Sequence, residues 1–207
     1  EVLLHFELRH PNIVQLLGGS WSLGSGDMCL CLELCALGTL EDWLAEEEAA
    51  GRPPCWEAEL LPLAVGVARG MAFLHGQSAA PILHRDLKTA NVLLAADLTP
   101  KVADLGSALE MEEGMQDFVA GSGTALYQAP EVLRREEADA ACDVWSFGCV
   151  LCCLSTRSHP YAPLEEDVAV ALVSQLKLRP MPPLDAPLVA VVEQATAFDT
   201  EARLPFA

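Results

Sequence analysis

Basic residues are scarce in this sequence. The 207 residues include 12 lysines and arginines against 30 aspartates and glutamates, so the formal net charge is -18. A chain with this charge repels the phosphates of nucleic acids and the head groups of anionic lipids, so we expect neither as a partner. The acidic residues are scattered, with runs of at most three such as residues 46–48, which favours a solvated face over a docking site for basic ligands.

Long uninterrupted apolar stretches are also missing. The two most apolar segments, residues 60–74 and 144–154, are interrupted by glycine, serine, proline or arginine and are shorter than a bilayer requires. No segment has the pattern of a signal peptide. We therefore expect no membrane segment and a cytoplasmic location. Hydrophobic residues still make up 52% of the chain, which is enough for the core of one domain.

The eight cysteines lack the spacing of a zinc site, because no C-x-x-C pair is accompanied by suitably spaced histidines. Cys29, Cys31 and Cys35 alternate through an apolar run, which predicts a buried strand that uses cysteine as a small hydrophobic residue. Three more lie in residues 144–154, the most apolar helix candidate, where a disulfide framework is implausible. We predict reduced, mostly buried cysteines, as in a cytosolic or nuclear protein.

The chemistry-bearing residues are concentrated in residues 82–91, I-L-H-R-D-L-K-T-A-N, followed by D-L-G at residues 104–106. One short loop thus carries a carboxylate, an ammonium and an amide oxygen, and a second carboxylate follows a strand-like K-V-A. Phosphoryl transfer needs this combination. The charge on the γ-phosphate calls for oxygen ligands to Mg²⁺, a nearby cation and an acceptor for the proton of the attacking hydroxyl.

These two segments resemble the catalytic loop and the metal-binding triplet of eukaryotic-type protein kinases, H-R-D-L-x-x-x-N and D-F-G. The loop matches at every fixed position, and the triplet departs only at its middle residue. The resemblance implies that Asp86 accepts or orients the proton of the substrate hydroxyl and that Lys88 neutralises the γ-phosphate. It also implies that Asn91 and Asp104 hold Mg²⁺. His84 invites a general-base interpretation, but in the family this histidine packs inside the loop's scaffold.

The segment between the triplet and G-T-A-L-Y-Q-A-P-E, residues 107–122, has no periodicity and predicts a mobile activation loop. By the resemblance, Arg85 pairs with a phosphate on this loop. The commonest phosphorylated position falls on Ala120, which cannot be modified. Either Ser122 is the switch, or an acid such as Asp117 satisfies Arg85 permanently.

Residues 123–131 resemble the substrate-positioning loop of the family, and Thr124 would hydrogen-bond the aspartate and lysine of the catalytic loop. D-V-W-S-F-G-C-V-L resembles the central buried helix, whose Asp143 would bind backbone amides of the catalytic loop. F-D-T-E-A-R resembles the segment whose arginine, Arg203, pairs with Glu131 of A-P-E.

The nucleotide-binding side is only partly represented. Residues 1–8 predict the end of an amphipathic helix, and the family pattern places Glu1 where a glutamate pairs with the ATP-anchoring lysine. That lysine and a Gly-rich phosphate loop would precede the first residue, which is not Met, so we interpret the sequence as a fragment. Residues 1–207 alone should therefore bind Mg-ATP weakly and transfer phosphate at background rate.

The adenine pocket is implied by residues near the predicted strands 12–17 and 28–34, which a Gly/Ser-rich connection joins. In the family pattern, Leu32 is the gatekeeper beside the nucleotide, and Leu93 is the floor under adenine. Glu33 and Cys35 would present a hinge carbonyl and amide, so these contacts come from backbone rather than side chains.

The predicted fold is α+β and protein-kinase-like. Residues 1–34 would be a remnant of the N-lobe sheet, and residues 35–207 the mainly helical C-lobe with hinge, catalytic loop and activation segment. Periodicity predicts a long helix over residues 56–75 and helices near 164–176 and 184–197, and short strands are expected at 92–94 and 101–103.

The resemblance implies a protein kinase that uses ATP and Mg²⁺ and acts on a protein substrate. Lys88, two residues after the loop aspartate, is typical of serine/threonine kinases, and the motifs look most like the tyrosine-kinase-like group. The alternative is a pseudokinase or scaffold that keeps the fold for binding partners. Against it, the metal-binding and proton-accepting residues are all present.

Overall fold

The computed structural model describes residues 7–21, 28–77, 80–110, 124–182 and 188–206. The first strands in the described residues form an antiparallel pair, β1 (Leu16–Trp21) and β2 (Met28–Leu32), and a mainly helical region follows. The helices are α1 (Leu40–Ala49), α2 (Leu61–His75), α3 (Pro130–Leu133), α4 (Ala141–Thr156), α5 (Glu166–Ser174) and α6 (Val189–Ala195). The predicted α+β class is confirmed.

The first strand lies further along the chain than residues 12–17. Ile13 is buried and forms a parallel bridge with Val102, so this apolar segment packs on the helical region and β1 begins only at Leu16. Gly18, Gly19 and Ser20, expected in the connection, belong to β1 instead. The prediction was wrong because backbone pairing with β2, rather than side-chain pattern, determines this strand.

The predicted burial of β2 is also wrong. All five of its residues are exposed, including Cys29 and Cys31, and Cys35 after the strand is half-buried. Among the eight cysteines, the four buried ones are Cys142, Cys149, Cys152 and Cys153. The apolar alternation correctly predicted a strand, but the side chains of this strand are exposed.

Helix α1 begins at Leu40 because Thr39 caps it: the Thr39 hydroxyl accepts the amide N–H of Asp42 at 3.0 Å. A π-helical turn, Trp56–Leu60, leads into α2, and Gly76 ends it. The predicted apolar positions of this long helix are buried: Leu60, Leu63, Ala64, Val67, Met71 and Leu74.

Two glycines bring α2 close to the N-terminal segment. A Cβ atom on Gly70 would lie 2.6 Å from the carbonyl oxygen of Asn12, and one on Gly66 would lie 2.3 Å from Cγ of Pro100. Such distances are shorter than any real contact, so both positions require the absence of a side chain. The helix backbone thereby packs directly against the chain at Asn12 and at Pro100.

The segment Trp56–His75 forms a continuous helix of 20 residues, which confirms the range predicted from periodicity. By length and composition alone it is the one helix in the described residues that meets the requirement for crossing a membrane. Its inward face, including Val67 and Met71, is part of the hydrophobic core. This is also the pattern of a core helix in a globular domain.

Two short antiparallel ladders hold the predicted motifs. β3 (Ile82–Leu83) pairs with β6 (Leu109–Glu110), and β4 (Val92–Leu94) pairs with β5 (Pro100–Val102). The first ladder was not predicted, and β5 begins one residue before the expected strand. Helices α5 and α6 are shorter than predicted, and residues 183–187 lie outside the described residues.

Candidate active site

The loop between β3 and β4 is shaped by the two ladders and by a 3-10 turn, Thr89–Asn91. β3 delivers His84 and the following residues, and the turn returns the chain to β4. The amide of Ala103 donates to the carbonyl of Asn91 at 2.8 Å, so the residue before Asp104 is fixed to the end of the loop. The loop and the D-L-G segment therefore form one connected unit.

Asp86 lies at the centre of this unit, and each of its carboxylate oxygens has a defined partner. Oδ1 accepts the amide N–H of Thr124 at 2.8 Å. Oδ2 accepts from Nζ of Lys88 at 2.9 Å and from Nδ2 of Asn91 at 3.0 Å. Lys88 in turn donates to Oγ1 of Thr124 at 2.7 Å, so the contacts expected for Thr124 are present.

These partners control the ionisation of Asp86. Burial alone would raise its pKa, but the hydrogen bonds from Lys88, the Thr124 amide and Asn91 outweigh burial and lower the pKa below the ordinary value of 3.8. Asp86 is thus a carboxylate at neutral pH. A group of this kind accepts a hydrogen bond from a hydroxyl and orients it more readily than it removes the proton completely.

Asn91 is oriented by acceptors that cannot donate. Its Nδ2 donates to the backbone carbonyl and to the carboxylate of Asp86, at 2.8 and 3.0 Å. The side-chain oxygen of Asn91 consequently remains available to a cation. Asp104 adopts a left-handed conformation with φ 60°, and its carboxylate accepts only the Gly106 N–H, at 3.4 Å, among the bonds of the described residues.

These two oxygen donors fit Mg²⁺, which prefers hard oxygen ligands. The described residues contain no group of three or more histidine, cysteine or acidic side chains that would hold a metal by themselves. A magnesium ion on Asn91 and Asp104 would draw its other ligands from phosphate and water, which is usual for this ion.

His84 is fully buried and both of its ring nitrogens are occupied. Nε2 donates to the carbonyl of Ala103 at 2.9 Å, and Nδ1 accepts the amide N–H of Asp86 at 3.2 Å. Since a carbonyl can only accept and an amide can only donate, these bonds fix a neutral tautomer. The ring therefore braces the loop and has no nitrogen left to accept a substrate proton.

Asp143 supports a strained residue of the loop. Arg85 has φ 68°, a left-handed conformation that costs about 1–3 kcal/mol in a residue other than glycine. Asp143 accepts the backbone amides of His84 at 2.8 Å and of Arg85 at 2.9 Å, as expected from the sequence. A buried carboxylate on the central helix α4 thus offsets the strain in the catalytic loop.

His75 also contacts Asp143, and sequence reasoning missed it. Its Nε2 lies 2.8 Å from Oδ2 of Asp143. Burial would raise the pKa of Asp143, but the bonds from His75 and the loop amides outweigh burial and lower it. The sequence signal was a histidine in the last turn of α2, directly before the loop. Its edge also packs on Phe206 near the C-terminal end.

Glu131 and Arg203 form a buried bidentate ion pair beneath the substrate-positioning loop. Nη1 and Nη2 of Arg203 donate to the two carboxylate oxygens of Glu131 at 2.6 and 2.9 Å. The arginine also donates to the carbonyls of Ala197 and Ala141 and lies over the ring of Trp145. Glu131 and Arg203 are 72 positions apart in the chain, and they form the pair that the family resemblance implied.

The predicted hinge follows β2. The amide of Glu33 donates to the carbonyl of Gln15, and its side chain accepts from the Gln15 amide at 2.7 Å and pairs with Lys101 at 3.0 Å. The Glu33 side chain thus joins the sheet to β5. Its carbonyl and the Cys35 amide form no backbone hydrogen bond within the described residues, which leaves both available to a ligand.

Of the remaining predicted site residues, some are partly or fully exposed, one has an unpaired buried donor, and others lie outside the described residues. Leu32 is 41% exposed at the end of β2, and Leu93 is half-buried in β4. Arg85 has a buried Nε without a hydrogen-bond partner in the part of the chain that the structure describes. Glu1 and Ser122 lie outside the described residues, as do residues 111–123 of the predicted activation loop.

The model of the protein kinase domain matches residues 1–204. This chain belongs to the protein kinase family. The predicted kinase-like fold is thereby confirmed, with the mainly helical C-terminal region described above.

All of the relatives named here are kinases, and two of the three carry the name of a serine/threonine-protein kinase. The probable serine/threonine-protein kinase drkB of Dictyostelium discoideum is 34% identical over 187 residues, which cover 90% of this chain and 26% of the relative. Mitogen-activated protein kinase kinase kinase 10 of Mus musculus is 34% identical over 100% of this chain and 22% of the relative. Serine/threonine-protein kinase STY17 of Arabidopsis thaliana is 34% identical over 100% of this chain and 35% of the relative. The chain thus spans between about a fifth and a third of the length of these three relatives.

Proposed function

We propose that this chain is the part of a protein serine/threonine kinase that positions the acceptor hydroxyl and transfers the γ-phosphate of Mg-ATP to it. The observation that carries the proposal is the environment of Asp86. An ionised carboxylate lies beside a lysine and a threonine, with the Asn91 oxygen and the Asp104 carboxylate available to a cation. The tyrosine-kinase-like group is our proposal for the subgroup.

Asp86 would accept a hydrogen bond from the substrate hydroxyl and thereby orient the hydroxyl oxygen towards the γ-phosphate. Complete removal of the proton is not needed early, because the transition state for phosphoryl transfer is loose. Lys88 would neutralise charge on the transferred group, and its bond to Thr124 keeps the ammonium beside Asp86.

Asn91 and Asp104 would hold Mg²⁺, which neutralises charge on the phosphates when it is bound. The free hinge carbonyl of Glu33 and amide of Cys35 would bind adenine, between Leu32 and Leu93. Glu1 would pair with an ATP-anchoring lysine. We propose residues 1–34 as part of the N-lobe, residues 35–207 as the C-lobe, and a cytoplasmic location.

Arg85 would control the activation segment. A buried donor without a partner is unusual in folded proteins and needs an explanation. A phosphate on Ser122 would supply one, and an acid such as Asp117 is the alternative that the sequence leaves open.

The decisive experiment replaces the two carboxylates in the full-length natural protein that contains these residues. Asp86→Asn and Asp104→Asn should each lower turnover about a hundredfold or more, because proton acceptance and charge neutralisation act in the transition state. Asp97→Asn is the matched control, since Asp97 is an exposed residue in the turn between β4 and β5. Phosphate transfer to a generic protein substrate is measured with radiolabelled ATP.

Retention of activity within tenfold of wild type in either variant would refute the assignment. If the unsubstituted full-length protein folds and binds partners but transfers no phosphate, the scaffold function is the better one. Thermal melting of each variant checks that the fold is intact.

The choice of acceptor is a separate prediction. Lys88 and Thr124 touch each other beside Asp86, which favours a short aliphatic hydroxyl over a phenol. Phosphoamino-acid analysis of a phosphorylated peptide mixture should give phosphoserine and phosphothreonine. Predominant phosphotyrosine would reverse the serine/threonine assignment and leave the kinase assignment intact.

A further inference from the structure

Phe206 packs where the end of α2 meets α4. Its ring lies nearly perpendicular to the ring of His75, with centroids 5.2 Å apart and an interplanar angle of 72°. A second perpendicular contact joins Phe206 to Phe147 of α4, at 5.3 Å and 70°. Phe147 follows Asp143 by one helical turn, and Asp143 is bonded to His75. Phe206 therefore contacts one neighbour of Asp143 on each of the two helices.

The segment before Phe206 fixes the position of its ring. Arg203, three residues earlier, donates to the carbonyl of Ala141 at the start of α4 at 2.9 Å, and to both carboxylate oxygens of Glu131. Phe206 itself is half-buried and packs against the hydrophobic core. A buried ion pair thus holds the backbone close to the place where the ring contacts α4.

Asp143 is the acceptor on which the backbone of the catalytic loop depends. Its Oδ2 accepts from Nε2 of His75 and from the amide of His84, both at 2.8 Å. Its Oδ1 accepts the amide of Arg85 at 2.9 Å, and Arg85 is the left-handed residue directly before Asp86. A rotation of the Asp143 carboxylate would therefore disturb the amides next to the residue that orients the substrate hydroxyl.

The bond between His75 and Asp143 is kept away from water. The His75 side chain is 9% exposed and that of Asp143 is 0% exposed. A hydrogen bond is stronger where the surroundings exclude water, because water neither screens the charges nor competes for them. A smaller side chain at position 206 would let water approach the imidazole and would leave its ring free to tilt.

We propose that Phe206 is a positioning residue for phosphate transfer, which holds His75 against Asp143 and so keeps the catalytic loop in its active geometry. The inference rests on the proposed kinase function for its effect on turnover. Phe206 acts through His75 and Asp143 and does not touch the reacting groups, so it is not a catalytic residue.

The test begins with amide hydrogen exchange, which does not require catalysis. Phe206→Leu, in the full-length natural protein that contains these residues, keeps an apolar side chain and removes the ring. Exchange at residues 84 and 85, whose amides donate to Asp143, is followed by mass spectrometry. Exchange at these two amides should be about three to tenfold faster, which corresponds to the weakening of one hydrogen bond. Phe206→Tyr retains the ring and should exchange like wild type.

Phe198→Leu is the matched control. Phe198 is also half-buried and packs against the core, but its aromatic contact is with Trp145, at 6.0 Å between ring centroids. The same substitution there should leave exchange in the catalytic loop unchanged.

A double substitution tests whether Phe206 acts through His75. His75→Gln keeps an N–H donor and removes the ring on which Phe206 packs. If the effect passes through this ring, adding Phe206→Leu to His75→Gln should speed exchange less than about twofold further, because the two effects are not additive.

Turnover gives a second measurement. Phe206→Leu should lower kcat about three to tenfold, by the same weakening of one hydrogen bond, and leave the KM for ATP unchanged. The reason is that the candidate hinge after β2 is a separate part of the site. If wild type transfers no phosphate, the proposed function fails, and the exchange measurement still decides whether Phe206 positions the loop.

The proposal is overturned if Phe206→Leu exchanges at residues 84 and 85 like wild type, or if Phe198→Leu speeds that exchange equally. It is also overturned if the effects of Phe206→Leu and His75→Gln add. Faster exchange throughout the domain, with a lowered melting temperature, would show that Phe206 stabilises the whole fold and has no specific action on the loop, which is equally contrary to the proposal.

Discussion

The strand β2 and the helix α4 have similar side chains and opposite surroundings. β2 reads M-C-L-C-L and α4 contains C-V-L-C-C-L, so both combine leucine with closely spaced cysteines. All five residues of β2 are exposed, whereas every residue from 142 to 154 in α4 is buried. Apolar composition therefore indicates what a segment can bury, and its neighbours determine whether it is buried.

The two regions also differ in how deeply their charged side chains are buried. Asp143 and the pair of Glu131 with Arg203 are buried around α4 and fully hydrogen-bonded. Near β2, the pair of Glu33 with Lys101 keeps side-chain exposures of 26% and 14%. A buried carboxylate is tolerated only where several donors converge, and α4 supplies such a place next to the catalytic loop.

The largest difference in stability between the two regions should appear when one member of each ion pair is removed. Glu131→Ala strands a buried arginine and should lower the free energy of unfolding by about 3–5 kcal/mol. Lys101→Met, in the partly buried pair, also loses a bond to the carbonyl of Pro11 and should cost less, about 1–2 kcal/mol. Both values come from urea unfolding followed by circular dichroism.

The charge swap Glu131→Arg with Arg203→Glu provides the control. It should recover part of the loss but not all, because Arg203 also donates to two backbone carbonyls that a glutamate cannot satisfy. Equal costs for Glu131→Ala and Lys101→Met would contradict the contrast between the two regions.

A smaller difference in stability is expected when one cysteine in each region is replaced by serine. Cys152 is fully buried in α4, and burial raises its pKa to about 12. Cys152→Ser places a hydroxyl in an apolar site and should cost about 1–3 kcal/mol. Cys31→Ser, on exposed β2, should change stability by less than about 0.5 kcal/mol.

Labelling of the native chain with a thiol reagent tests the same contrast without substitution. Cys29, Cys31 and Cys55 are exposed and should react, whereas the four buried cysteines should react only after unfolding. Rapid reaction of Cys152 in the folded chain would show that α4 is less enclosed than described here.

The parts that could be predicted are those with a local signal. The long helix α2 follows from its apolar period, the start of α1 from Thr39, and the catalytic loop from a motif whose residues are close in sequence. For Thr124, Asp143 and Arg203, only the family resemblance linked residues that lie far apart along the chain. Their contacts are present, but their roles in catalysis stay a proposal.

The parts that could not be predicted depend on distant partners. The ladder of β3 with β6 has two residues on each side, too few for any pattern. The position of His75 in the last turn of α2 does not reveal its partner, because Asp143 is distant in the sequence. Gly66 and Gly70 need their small size only because other segments approach them. The exposure of β2 is likewise a property of what surrounds the strand.

The smallest effect on stability is expected at the exposed end of the sheet, where Trp21 pairs across from Met28 and is 72% exposed. Trp21→Ser removes little buried area and should change the free energy of unfolding by less than about 0.5 kcal/mol.

With Leu17, Leu30 and Leu32, the Trp21 side chain adds to an exposed apolar surface on the two strands, so its removal should reduce self-association. Sedimentation velocity over a range of concentrations measures that change, and Val168→Ser is the control, since Val168 is exposed on α5, away from the sheet. A loss of more than 1 kcal/mol from Trp21→Ser would mean that the sheet is covered in solution and that its contrast with α4 is weaker than the structure indicates.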